Sequence, residues 1–376
     1  MYIHQRAEWP EFEWDQGKLA DLLAEVRHLQ GRLLGRMEGL GFQLREEATL
    51  QTLTQDVVKT SEIEGEKLDA ETVRSSIARR MGLDIGALRP IDRNVEGIVD
   101  IMLDATRKYD KPLTQERLFG WHGALFPTGR SGLQRITVGA WRRKESGAMQ
   151  VVSGPIGREK VHFEAPDYDR LEGEMSAFLN WFNSPGEMDL VLKSALAHFW
   201  FVTLHPFEDG NGRIARAIAD MTLARSERTA QRFYSMSAQI QQERNAYYNV
   251  LEKSQKGALN ITPWLAWYLS CLKRAINASD KLLETVLVKD RFWRLHKDEA
   301  FNERQRKVIN RLLDGFEGKL TSSKWARLAK CSQDTAGRDI NDLLERKILA
   351  REEAGGRSTS YILRLPSGYG ISQPCN

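Results

Sequence analysis

Cysteine is scarce. The 376 residues contain three, Cys271, Cys331 and Cys375, too far apart to suggest a disulfide framework or the paired spacing of a zinc site. A reducing compartment is therefore the expectation. Long apolar runs are also missing. The most apolar stretch, Ala195 to Leu204, is interrupted by His198 and is too short to cross a bilayer. The first residues, Met1-Tyr2-Ile3-His4-Gln5-Arg6-Ala7-Glu8, lack the apolar core of a signal peptide. These absences predict a cytoplasmic protein without membrane contact. No charge sign dominates either: 55 Lys and Arg face 51 Asp and Glu, a net +4, which by itself selects no partner. No Walker A string and no kinase signature set occurs, which argues against those classes of ATP enzyme. What is present, 41% hydrophobic and 28% charged residues, is the composition of a globular protein. The length suffices for two or three domains with cores of their own.

One stretch concentrates the chemistry: His205-Pro206-Phe207-Glu208-Asp209-Gly210-Asn211-Gly212-Arg213-Ile214-Ala215-Arg216. An apolar helical run from Leu190 to Leu204 leads into it, and Pro206 disfavours helical geometry at His205, predicting a turn there. Gly210 and Gly212 flank Asn211 and allow a tight, open loop. A second helix is predicted to begin near Arg213. A glycine-rich loop that feeds a helix N-terminus presents unpaired N–H groups, which attract phosphate. Arg213 and Arg216, three apart, share a helical face, and each can form charge-assisted bonds to phosphate oxygens. Asp209 is a hard oxygen ligand suited to Mg²⁺, which binds through one or two carboxylates plus substrate phosphates. His205 is suited to accept a proton. Taken singly, Gly-Asn-Gly is an ordinary turn and His-Pro an ordinary helix end. Twelve consecutive residues that hold base, metal ligand, phosphate cradle and two cations are harder to explain that way.

This string resembles the signature of the Fic family, His-x-Phe-x-Asp/Glu-Gly-Asn-Gly-Arg-x-x-Arg, at every fixed position, and the resemblance extends over about residues 45–275. It implies a protein adenylyltransferase that moves AMP from ATP to a Ser, Thr or Tyr hydroxyl of a target protein, or of itself, with release of pyrophosphate. His205 would be the general base, and Asp209 would hold Mg²⁺. Gly210, Asn211, Gly212 and Arg213 would cradle the α- and β-phosphates, and Arg216 the γ-phosphate. Upstream, Thr60-Ser61-Glu62-Ile63-Glu64-Gly65 reads on its own as an acidic helix end. Beside the main motif it resembles the family's inhibitory Ser/Thr-x-x-x-Glu-Gly/Asn, matched by Thr60, Glu64 and Gly65. The implication is that Glu64 pairs with Arg216 and misplaces ATP. The reverse reaction, removal of AMP by a water positioned at Glu64, remains an alternative.

The rest of the chain reads as helices. Apolar periodicity predicts them from Asp15, over Glu46 to Glu64, from Asp69 to near Gly82, and at about 91–109 and 114–126. Trp9, Phe12 and Trp14, around Pro10, read as an arm that pins aromatics onto the body. Gln150-Val151-Val152-Ser153 and Lys160-Val161-His162-Phe163 bracket Gly154-Pro155-Ile156-Gly157, predicting a hairpin. By resemblance this is the flap over the active site, with Val151, Val152, Ser153 and Gly154 in it. Seven residues separate His198 from His205, but the turn at Pro206 argues against a metal pair, and His198 reads as core. Tyr247, Tyr248 and Gln255 read as core or, by resemblance, as the adenine side of the nucleotide site.

The expected fold is mainly α: an N-terminal helical region with the inhibitory helix (1–90), a Fic helical core with its β-hairpin flap (91–275), a connecting helix (276–300) and a separate module (301–376). The last resembles a winged helix-turn-helix and holds 14 Lys and Arg against 9 Asp and Glu. A DNA-binding regulator with a nucleotide-sensing Fic region is therefore the second hypothesis, resting on Lys330, Arg338 and Arg357. A protein-contact role for this module and homodimerisation both stay open.

Overall fold

Side-chain caps set most helix starts in this chain. The computed structural model describes residues 1–376 except 86–88, 155–157, 159, 314–315, 317, 353–358 and 366–376, and the side chains of 146, 281 and 282. It divides into two units, Met1–Ser279 and Asp280–Asn376. In the first, α1 (Gln16–Glu38) starts where Asp15 accepts from the Lys18 N–H. α2 (Phe42–Ile63) follows, and then α3 (Ala70–Met81), capped by Asp69 and ended by Gly82 at φ 70°. α4 (Arg93–Arg107) and α5 (Gln115–Leu125) are capped by Asp92 and Thr114. Two antiparallel hairpins come next: β1 (Arg130–Ser131) with β2 (Gln134–Arg135), and β3 (Gln150–Ser153) with β4 (Lys160–Glu164). α6 (Tyr168–Asn183), α7 (Leu190–Leu204), α8 (Asn211–Glu227), α9 (Met236–Gln242), α10 (Arg244–Gln255) and α11 (Thr262–Leu295) complete the unit, whose limit falls inside α11. Each cap satisfies N–H groups that the helix itself leaves open.

The centre of this unit is α7 packed along α8. Almost every α7 residue from Val191 to Leu204 is buried, which explains why the helix is apolar on all sides rather than along one stripe. α4 and α5 approach closely at Gly97, where an added Cβ would lie 1.8 Å from the Ala124 carbonyl oxygen. That neighbour is backbone and cannot rotate away. Gly97→Ala is therefore expected to destabilise by about 3 kcal/mol, the upper end for overpacking, read as a lower urea midpoint with an unchanged slope. A midpoint equal to that of the parent would contradict the close approach.

The N-terminal arm lies on the body as expected. Trp9 packs edge-on against Phe12 and Trp200, Phe12 against Phe199, and the Trp9 indole donates to Glu174 Oε2 at 2.8 Å. The second unit contains α12 (Glu303–Leu313), α13 (Ser322–Ala329), α14 (Gln333–Glu345) and the antiparallel pair β5 (Leu349–Arg351) and β6 (Tyr361–Leu363). Its core gathers Phe292, Val308, Ile309, Trp325, Ile340 and Leu343. The division at Ser279 differs from the sequence-based boundaries at 90, 275 and 300: residues 1–90 belong to the same unit as the motif. α2 packs on α3, α9, α4 and α8, a union that periodicity within single segments cannot reveal.

Candidate active site

α7 ends by pointing its chain into the motif loop. His205 is its C-cap, in the left-handed region at φ 49° and ψ 56°. The expectation of a turn holds, though in a conformation rare for a residue with a Cβ. Arg142, itself buried, holds this corner: its backbone N–H donates to the Pro206 carbonyl at 2.8 Å, and its guanidinium donates to the carbonyls of His205, at 3.0 Å, and Pro166. The His205 ring places Nδ1 3.2 Å from the Val202 carbonyl oxygen. A carbonyl only accepts, so Nδ1 carries the proton and Nε2 keeps its lone pair. Burial, and then the Arg142 charge, outweigh that hydrogen bond and lower the His205 pKa to about 4. At neutral pH it is an uncharged base.

Asn211 closes the loop on itself. Its side chain accepts from the Phe207 N–H at 2.9 Å and donates to the Phe207 carbonyl at 2.8 Å. Gly210, at φ 83°, precedes α8 as its N-cap without a side-chain cap. A Cβ there would also press on Phe126 and Leu125 at about 3 Å. The first N–H groups of α8 thus stay open toward the loop. The Asp209 carboxylate accepts from its neighbour's N–H at Gly210 and from the Ser131 hydroxyl. Behind it, His122 stacks on Phe207 at 4.2 Å and accepts from the Gly139 N–H, so its Nε2–H faces the Asp209 carbonyl at 3.2 Å. Burial lowers the His122 pKa to about 4. Glu208 accepts from both the N–H and the hydroxyl of Thr137.

Glu64 meets Arg216 across 152 residues of chain. Arg216 Nη2 donates to Glu64 Oε1 at 2.7 Å and to the Thr60 carbonyl at 3.0 Å, and Nε donates to Thr60 Oγ1 at 2.6 Å. Burial alone would lower the Arg216 pKa, but the adjacent Glu64 carboxylate reverses this and leaves it raised. Gly65 turns the chain at φ 88° directly after Glu64. The carboxylate lies at the opening of α8: a Cβ on Gly212 would sit 2.2 Å from Glu64 Oε1. An anion thus already occupies the place where α8 and Arg216 would attract one. Arg213 is held by Glu66 at 2.9 Å and lies over the Phe126 ring. Each motif arginine keeps one buried donor without a partner among the described residues, Arg213 Nε and Arg216 Nη1. Buried guanidinium N–H groups left this way are costly unless a ligand completes them.

The predicted hairpin is present, with a register irregularity between Val151 and Val152. Val152 and Val161 expose apolar side chains, and Gly154 has φ 107°; Pro155, Ile156 and Gly157 of the expected turn lie outside the described residues. Tyr247 and Gln255 are buried, bonded to His198 Nε2 at 2.9 Å and Thr203 Oγ1 at 3.2 Å. Tyr248 keeps open surface, with its hydroxyl 3.5 Å from the Ile63 carbonyl. His198 is a core residue, and burial takes its pKa down to about 3. Sequence reasoning missed Glu66, His122, Ser131, Thr137 and Arg142. Only Glu66, two residues past Glu64, stood near a motif; the others come from separate segments with no spacing signal.

In the second unit, Lys330 and Arg338 are exposed, and Arg357 lies outside the described residues. The exposed stripe of α14 also presents Asp334 and Glu345, charges that repel a phosphate backbone.

Comparison with known proteins places these residues in context. A family model described as Fic/DOC matches residues 112–223, and one described as a domain of unknown function, DUF4172, matches residues 2–83. Over 115 residues the chain is 33% identical to the Protein adenylyltransferase Fic of Nematostella vectensis, covering 30% of this chain and 25% of that protein. Over 105 residues it is 32% identical to the Protein adenylyltransferase Fic of Drosophila yakuba, covering 27% and 20%. The chain therefore spans a quarter or less of these relatives' length. The crystal structure of a Fic family protein from Desulfovibrio desulfuricans G20 aligns with a TM-score of 0.51 at 22% identity, over 92% of this chain and 95% of that one. A Fic-domain-containing signaling protein from Bacteroides thetaiotaomicron VPI-5482 aligns with a TM-score of 0.52 at 18% identity, over 69% and 97%. These two likenesses establish the mainly helical fold.

Proposed function

The chain carries a Fic/DOC domain, and from that premise we propose that it is a protein adenylyltransferase that transfers AMP from ATP to a protein hydroxyl and restrains itself through Glu64. The observation that carries this reading is the pair of buried, unpartnered guanidinium donors, Arg213 Nε and Arg216 Nη1, at the open N-terminus of α8. They fit phosphate oxygens, and positioning with charge neutralisation is most of what such chemistry requires.

In this mechanism His205 Nε2 takes the proton of the incoming hydroxyl as that oxygen attacks the α-phosphorus. The N–H groups of Gly212 and Arg213, with the Arg213 side chain, hold the charge that develops. Arg216 would bind the γ-phosphate once Glu64 withdraws. Among the described residues no group of three or more His, Cys, Asp or Glu side chains forms a metal cage. A single carboxylate completed by phosphate oxygens is nevertheless a donor set Mg²⁺ accepts, and Asp209, steadied by Ser131, would supply it. Bound there, Mg²⁺ would offset charge on the departing pyrophosphate. The outer edges of the two-stranded flap are unpaired among the described residues, which suits main-chain pairing with a target segment.

Incubation with ATP labelled in the α- or the γ-phosphate, with Mg²⁺ and cell lysate, tests the reading. Label should enter protein from the α-position alone, with release of pyrophosphate. Incorporation from the γ-position would make the chain a kinase and overturn it. Removal of AMP is the reading favoured by a Glu64 carboxylate held at the α8 opening, where it could orient water. Loss of label from pre-modified protein on adding unlabelled wild type would decide for it.

A further inference from the structure

Three separate segments meet at one buried ring that the transfer mechanism leaves without a role. His122 lies on α5 and has no exposed surface. Its Nδ1 is 3.2 Å from the Gly139 nitrogen, and its Nε2 is 3.2 Å from the Asp209 carbonyl oxygen. A backbone N–H only donates and a carbonyl only accepts. One tautomer satisfies both, with the lone pair on Nδ1 and the proton on Nε2. The ring lies 6° from parallel to Phe207 at 4.2 Å, so packing fixes its plane and the two hydrogen bonds fix its rotation.

The carbonyl it holds belongs to the peptide whose other end is the Gly210 N–H. A trans peptide is planar, and its C=O and N–H point in opposite directions. Drawing the Asp209 carbonyl back toward His122 therefore turns the Gly210 N–H away from α5. There it meets Asp209 Oδ1 at 2.5 Å. Gly210 stands at φ 83°, and glycine accepts positive and negative φ about equally. The residue itself thus does not keep this peptide from turning over. Among the described residues His122 is the one group that donates to the Asp209 carbonyl.

We propose that His122 is a positioning residue of the nucleotide site, selecting the orientation of the 209–210 peptide that presents the Gly210 N–H and the Asp209 carboxylate to the phosphates of ATP. This rests on the reading of the motif loop as a phosphate site. His122 touches no substrate and acts through the loop backbone. Gly139 is part of the device, because its N–H claims Nδ1 and so leaves the proton on Nε2.

The test compares three substitutions in the full chain carrying Glu64→Gly, by calorimetry with ATP and Mg²⁺ and by the KM for ATP in AMP transfer. His122→Phe keeps the stack on Phe207 and loses both hydrogen bonds. It should weaken ATP binding by about fivefold to tenfold, as for one hydrogen bond. His122→Gln loses the stack but carries an amide N–H where Nε2–H stood, and should bind within about twofold of the parent. His122→Asn can replace only the acceptor and should behave like His122→Phe. KM should follow the same order, with kcat changing less. A ring needed only for packing gives the reverse order, with His122→Phe nearest the parent, and that result overturns the proposal. Histidine ¹⁵N spectra of the unsubstituted chain give a measure that needs no variant to fold. The Nε2–H tautomer is expected at His122, and the Nδ1–H tautomer would overturn the assignment. If the Glu64→Gly chain binds ATP but transfers no AMP, the transfer reading falls and the binding order still decides on His122. If it binds no ATP, both fall.

Discussion

Glu64→Gly is expected to raise AMP incorporation at fixed ATP by about tenfold or more. The substitution removes the carboxylate that accepts from Arg216 at 2.7 Å, a charge-assisted bond of a kind worth about 1.5–3 kcal/mol, and about 1.4 kcal/mol corresponds to a factor of ten. It also clears an anion from the α8 opening, where a Cβ on Gly212 would lie 2.2 Å from that carboxylate. Arg216 is then free for the γ-phosphate. The fold should lose only about 1 kcal/mol, since the change falls at the end of α2. Glu64→Asp should activate less, because its shorter arm keeps the charge in the region. Arg216→Ala should not activate, since it removes the phosphate contact with the restraint. Time courses of labelled AMP incorporation for the four proteins decide the matter. If Glu64→Gly binds ATP normally and is no faster than wild type, Glu64 is a structural ion-pair partner and nothing more.

His205→Ala should abolish transfer, by about 10²–10⁴-fold as expected for a positioned base, while ATP binding stays within about tenfold because other residues supply the phosphate donors. Calorimetry with ATP against the rate of label incorporation separates the two quantities. The pH dependence adds a sharper condition. The pKa of His205 is lowered to about 4 by burial, so the base is already deprotonated throughout the neutral range. With the activated variant, kcat/KM should stay level between about pH 6 and 8 and fall only as the pH drops toward 4. A fall centred on the ordinary histidine value of about 6.5 would mean that the working base is solvated, contrary to the burial and the Val202 hydrogen bond.

The motif from His205 to Arg216 was legible in the sequence because its parts are consecutive. A loop of Gly210, Asn211 and Gly212 between an apolar helix and an arginine-bearing one can be read from local rules of backbone freedom and helix ends. The start of α8 at Asn211 rather than Arg213 is the kind of boundary such rules leave loose. The Glu64–Arg216 pair was proposed only because the short upstream string resembles a known inhibitory motif; nothing in spacing alone links residues 152 apart. Tyr247, Tyr248 and Gln255 illustrate the opposite limit. Helical spacing puts them on one short element, yet only Tyr248 keeps surface, because α10 turns Tyr247 and Gln255 against His198 and Thr203 of α7.

What the sequence settled alone is the set of residue types in the motif: a histidine, an aspartate, a Gly-Asn-Gly loop and two arginines within twelve residues. These follow from residue identity and local backbone geometry, which neighbours along the chain decide. Tertiary structure decided the state of those groups. Burial makes His205 a neutral base, Arg142 and the β1 residue Ser131 come from segments far back in the chain to steady His205 and Asp209, and the end of α2 brings Glu64 and Glu66 onto both motif arginines. Protonation and ion pairing depend on what surrounds a group in space, and those surroundings come from packing between segments far apart in the chain.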